Sequence, residues 1–154
     1  MPRKRAPRKG EGRPRKRNLP QPIHLIGTRT KEAIKRRAAA RAVAAAALRN
    51  CLLKILEKDV KALRISRTFA TRVSKSTFPD YYDIVKDPIC IEDIHEAVMN
   101  GEYKDKAAFL LDFRKIYKNS VAYNGRNDDL SKNALAIFDA VKAALNCSVT
   151  RSMI

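Results

Sequence analysis

The chain has 154 residues, with 33 Lys and Arg against 16 Asp and Glu, a formal net charge of +17. That is one domain's worth of chain with room for a tail. Three scattered cysteines and two histidines, with no C-x-x-C pair, argue against a disulfide scaffold or a zinc site of the usual spacing. Neither a secretory leader nor a membrane-length apolar run is visible, so a reducing, intracellular setting is expected and no membrane partner.

The charge is not spread evenly. Residues 1–50 carry 16 basic side chains and only Glu11 and Glu32, whereas residues 51–154 carry 17 basic and 14 acidic ones. The headline charge therefore describes an arm on a near-neutral globule. Residues 1–29 are expected to be a disordered basic arm. Its first 22 residues hold five of the seven prolines and no aromatic side chain, too little apolar surface to offset chain entropy. Pro-Arg-Lys-Arg occurs twice, so that Arg3, Lys4, Arg5, Arg13, Arg15, Lys16 and Arg17 are candidate phosphate contacts. Gly12-Arg13-Pro14-Arg15-Lys16 resembles the centre of an AT-hook, with Glu11 where an arginine usually stands. DNA through residues 1–22 and a nuclear import receptor are the two partners such an arm suits, and they can coexist.

From Thr30 to Ile65 there is no Gly or Pro, and the composition favours helix throughout. Residues 30–47 read as a basic, alanine-rich helical extension. The domain itself is placed at residues 48–146, where Leu52, Leu56, Val60 and Leu63 share one side of the helix. Residues 66–90, with Pro79 and Pro88, read as one long connection, a length that is often functional. A short helix follows from Ile91 to Met99 with Ile91, Ile94 and Val98 inward, stopped at Asn100-Gly101. Asp105 is placed to cap a third helix bearing Phe109, Phe113, Ile116, Ser120 and Tyr123, which ends at Asn124-Gly125. Asp128 and Asp129 are placed to cap a fourth, with Ala134, Ile137, Phe138, Val141 and Leu145 inward, and residues 147–154 form a tail. No period-two pattern appears, so the fold class is all-α, a four-helix bundle with one long loop between its first and second helices.

Two patches break these helices: Phe78-Pro79-Asp80-Tyr81-Tyr82 with Asp87-Pro88, and Ala122-Tyr123-Asn124-Gly125. They combine a neutral amide with tyrosines in apolar surroundings, which suits a pocket for an uncharged, carbonyl-bearing ligand. No nucleophile–base pair, phosphate loop or metal cluster is present, so the chain does not read as an enzyme, and no cofactor or metal is expected. Alone, Asn124 would read as a helix cap and Tyr81 as a packing aromatic; their joint occurrence in this order carries the site.

With Tyr103, Phe109 and the run Asn119-Ser120-Val121-Ala122-Tyr123-Asn124, these patches resemble the bromodomain family over roughly Leu48 to Leu145, most of all its members in transcription and chromatin factors. The resemblance implies a left-handed four-helix bundle that binds acetyl-lysine, chiefly on histones. It implies that Asn124 donates to the acetyl carbonyl, that Tyr81 reaches the same oxygen through a water, and that Phe69 and Val73 line the methyl end. Leu130 stands at the gatekeeper place, and Tyr123 and Ile89 flank the cleft. A charged lysine would shed its hydration with no carboxylate to replace it, a cost that acetylation removes. The family's Trp-Pro-Phe shelf reads Arg67-Thr68-Phe69 here, and Arg72 replaces the proline before the loop valine. A more open and more basic rim with weaker affinity is expected. The implied function is a nuclear chromatin reader of acetylated histone or other acetylated tails. The alternative is a structural subunit of a chromatin or transcription complex with a degenerate pocket.

Overall fold

The computed structural model describes the backbone of residues 23–150 and the side chains of residues 30–147. The arm residues Arg3, Lys4, Arg5, Arg13, Arg15, Lys16 and Arg17 lie outside the described residues. Two units divide the chain, at Ala38 and Ala39. In the first, the described part belongs to helix α1 (Ile23–Lys54), and residues 30–38 are exposed on every side. Helix α1 thus starts ahead of Thr30, inside the stretch read as arm.

The second unit is all helical among the described residues. After α1 come α2 (Tyr81–Ile84), α3 (Ile91–Asn100), α4 (Lys106–Asn124) and α5 (Asp129–Thr150). The four long helices enclose one apolar core; α2 is a single turn within the loop. The inward faces are those the spacing predicts. Leu52, Leu56 and Val60 come from the first segment, Ile91, Ile94 and Val98 from α3, Phe109, Phe113 and Ile116 from α4, and Ala134, Ile137, Val141 and Leu145 from α5. Tyr103 and Phe109 meet edge to face at 5.5 Å, and Phe109 meets Phe113 at 5.1 Å, so three rings continue the core along α4.

The helix ends follow from single residues. Asp105 Oδ1 accepts the Ala108 N–H at 2.8 Å and satisfies an orphan donor of α4. Gly101 closes α3 at φ 72°, a left-handed conformation that costs glycine nothing. Asp128 Oδ1 takes the Leu130 N–H at 2.8 Å at the start of α5.

Two expectations change. The first helix does not run evenly to Ile65. Its α-geometry ends at Lys54, a π-turn follows over Ile55–Val60, with the Lys61 N–H on the Leu56 carbonyl at 3.0 Å, and a 3₁₀ turn covers Arg64–Phe69. The wider turn buries Ile55 beside Leu56 and Val60. Packing imposes it, in a stretch where propensity favours plain helix throughout. The long connection is also more structured than a bare loop, because the 3₁₀ turn and α2 both lie within its reach.

Candidate functional site

The site is built from the loop on one side and the end of α4 on the other. Three ties hold them together. The Tyr123 hydroxyl donates to Asp80 Oδ1 at 3.0 Å, the Asn119 amide donates to the Asp87 carbonyl at 2.8 Å, and Lys115 Nζ lies 2.8 Å from Asp87 Oδ2. All three fall on one side of α4, four residues apart at Lys115, Asn119 and Tyr123, so the segment Asp80–Asp87, with α2 inside it, is pinned to one helix. Tyr82 secures the outer stretch by donating to the Val73 carbonyl at 2.6 Å. Tyr81 packs edge to face on both Tyr82 and Tyr123, at 5.4 and 5.1 Å, and Phe78 covers Tyr123 at 6.2 Å. Burial pushes the Tyr81 phenol up, and the bond to Asp80 does the same for Tyr123, so both stay neutral at physiological pH.

Between these walls lies a cavity of about 240 Å³. The loop contributes Phe69, Val73, Tyr81 and Ile89, and the far wall contributes Tyr123, Asn124 and Leu130. All seven residues singled out in the sequence therefore line one space. Asn124 is the last residue of α4, where Gly125 turns the chain away with its N–H on the Val121 carbonyl at 2.9 Å. Its Nδ2 donates to Ser120 Oγ at 3.2 Å, and Ser120 in turn meets Ser131 Oγ of α5 at 3.2 Å. The amide is thus oriented by a hydroxyl chain that crosses from α4 to α5, with a second N–H and the Oδ1 left over. His95 does not line the cavity; its Nε2 is 3.7 Å from Glu57 Oε1.

The sequence model of the bromodomain family matches residues 52–136, a span that contains both walls of the cavity from Phe69 to Leu130. The chain belongs to the bromodomain family. Bromodomains are binding modules, typically for acetyl-lysine in chromatin factors. Over 64 residues, 42% of this chain and 4% of the relative, it is 42% identical to the human bromodomain adjacent to zinc finger domain protein 1A. It is 41% identical to Arabidopsis thaliana transcription initiation factor TFIID subunit 1 over 81 residues, 49% of this chain and 4% of that protein. It is 32% identical to the Yarrowia lipolytica histone acetyltransferase GCN5 over 66 residues, 43% of this chain and 14% of the enzyme. The chain therefore spans a small fraction of the relatives it matches.

Of the other lining residues of this bromodomain, Thr68, Arg72, Phe78 and Asn119 stood in the quoted motifs without a role of their own, and Thr71 had no signal in the sequence; they join the cavity because the 3₁₀ turn and the loop curl over it. The shelf arginine, Arg67, and the loop arginine, Arg72, part company. Arg72 lines the cavity, whereas Arg67 lines a separate hollow with Leu56, Lys61 and His95. Arg72 Nε sits 3.0 Å from Asp93 Oδ1, while Asp93 Oδ2 accepts the Cys90 N–H at 3.0 Å at the start of α3. Partial burial works against the Asp93 carboxylate, but the Cys90 and Arg72 bonds outweigh it and hold its pKa below the ordinary value.

A depressed carboxylate pKa stabilises the fold above the unfolded value, about 3.9, and the gain disappears as pH falls through the folded value. Asp93→Asn should therefore cost about 0.5–1 kcal/mol at pH 6, a figure reduced for the solvent at Arg72. The difference from wild type should shrink as pH falls through the folded value, so that it is smaller at about pH 2 than at about pH 6. Urea melts of both proteins at the two pH values check this; an unchanged difference would show that Asp93 acts through shape rather than charge.

Proposed function

We propose that this bromodomain is a reader of acetylated lysine on histone or other acetylated protein tails, acting in the nucleus as part of chromatin or transcription regulation. The observation that carries the reading is the cavity that brings Asn124, Tyr81, Phe69 and Val73 together. Acetyl-lysine offers a carbonyl oxygen, one N–H, a methyl group and an aliphatic stem. The free N–H of Asn124 suits the carbonyl, its Oδ1 suits a donor, and Tyr81 stands where a water could bridge to the same oxygen. Phe69 and Val73 give the methyl an apolar end, while Tyr123, Ile89 and Leu130 flank the stem. A charged lysine entering the same space would lose its hydration without a carboxylate opposite it, so discrimination rests on rejecting the charged form. Several relatives are chromatin or transcription proteins by name, which agrees with a nuclear setting and with partner subunits. Titration with matched acetylated and unmodified histone-tail peptides tests the reading. Equal affinity for both forms would leave the structural-subunit alternative, in which the bundle serves only to hold a partner.

The basic arm adds a second attachment, and the two modest contacts joined by a tether can exceed either alone. If its arginines and lysines neutralise phosphates, duplex affinity falls with salt at a log–log slope of about −0.9 per phosphate engaged. Removing residues 1–20 should flatten that slope and weaken duplex binding while leaving the acetyl-peptide affinity unchanged. Duplex titrations across a salt series, beside a peptide titration, give the answer. Duplex binding that keeps its strength and slope after truncation would move the nucleic-acid contact off the arm.

A further inference from the structure

Among the described residues Arg72 is the single charged one in the wall of the cavity; the other lining residues are neutral. A pocket that rejects charged lysine has no need of a cation for acetyl-lysine itself. Yet this one is held in place. Its Nε is bonded to Asp93 at 3.0 Å, and two residues earlier the Ala70 carbonyl accepts the Glu92 N–H at 3.0 Å, so backbone and side chain are both tied to the start of α3. Asp93 divides its oxygens between Arg72 and the Cys90 N–H and so engages the guanidinium through one nitrogen only. The terminal nitrogens of Arg72 make no further bond to the described residues, and the side chain remains 59% exposed. A guanidinium is a fork of five N–H donors suited to carboxylate or phosphate, and one of them is spent here.

The surroundings favour an anion as well. Thr68 and Thr71 bring two hydroxyls to the same wall. Among the described residues no carboxylate lines the cavity, so none in its wall opposes an incoming anion. We propose that Arg72, with Thr68 and Thr71, forms an anion subsite in the cavity wall that selects peptides carrying a carboxylate or phosphate on a residue beside the acetyl-lysine. This rests on the cavity being the acetyl-lysine site. A lysine or arginine beside the acetyl-lysine is correspondingly disfavoured, because it would face Arg72 at short range.

The test uses the full chain and one peptide backbone. Acetyl-lysine is flanked in turn by alanine, glutamate, phosphoserine or lysine, on each side, and each peptide is titrated calorimetrically. The glutamate or phosphoserine peptide should bind about five- to tenfold tighter than the alanine peptide, the size of one partly exposed charge-assisted contact, and the gain should fade in high salt. The larger of the two gains identifies the anion. In Arg72→Gln the ratio of anionic to neutral affinity should collapse to about one, and Arg72→Lys should restore part of it. A preference that survives Arg72→Gln belongs to the basic arm and overturns the proposal. Equal affinities in the wild-type series overturn it without any variant, which decides the matter even if Arg72→Gln folds poorly. Failure of every acetylated peptide would instead remove the acetyl-lysine reading and this inference with it.

Discussion

Replacing Asn124 by alanine should lower acetyl-peptide affinity by about 1–3 kcal/mol, the cost of leaving the ligand carbonyl without a donor. The fold should hardly respond. Asn124 is the last residue of α4, outside the apolar core, and its one internal bond, to Ser120 Oγ, is a neutral contact at 3.2 Å. Asn124→Asp is the sharper variant. It keeps the shape and the acceptor oxygen but exchanges the donor for a charge that repels the carbonyl, so it should bind at least as poorly as alanine. Peptide titration and thermal melting of the same samples separate the outcomes. A melting temperature that falls in step with affinity would make Asn124 a helix-end residue and nothing more.

The second large effect lies in the core. Phe109 is fully buried and touches rings on both sides, Tyr103 and Phe113. Phe109→Ala should cost about 3–5 kcal/mol, because the four helices around it can close the cavity only in part. Set against a total stability of about 5–15 kcal/mol, that loss lowers the melting temperature by on the order of 20 °C. Leu111, two residues on and more than half exposed, is the control: Leu111→Ala should stay within about 0.5 kcal/mol of wild type. Denaturant melts of both variants check the contrast, and similar losses would mean that α4 faces the core by a different side.

The bundle was legible because burial leaves a regular mark. Ile91, Ile94 and Val98 repeat at helical spacing, as do Phe109, Phe113 and Ile116, and each set faces inward. Asp105 and Gly101 marked their helix ends through side-chain and backbone chemistry that acts over a few residues. The π-turn at Ile55–Val60 left no such mark. It sits in a run without Gly or Pro, and it arises from packing against distant helices. Helix α2 is four residues long, too short for periodicity to register. The candidate site divides in the same way. Asn124 and Tyr81 stood out through their neighbours and their order. Thr71 joins the cavity only through the path of the loop, and the parting of Arg67 from Arg72 depends on which way a turn presents each side chain. No spacing rule carries that information.

The three ties between Asp80–Asp87 and α4 also set how the cleft breathes. A wall fastened to a core helix opens only when that helix does, so the amides from Tyr81 to Val85 should exchange hydrogen at rates closer to those of α4 than to those of a free loop. Among the described residues, the stretch without a hydrogen bond to a long helix is shorter, from Ser74 to Pro79, and it includes Phe78 on the cavity side. Most of the lining is therefore in place before a ligand arrives, and the entropy of capture is concentrated in one short flap. Residence time then becomes a property of that flap, which a substitution at Ser74 or Ser76, joined by a 2.7 Å hydroxyl contact, could lengthen or shorten without touching the ligand.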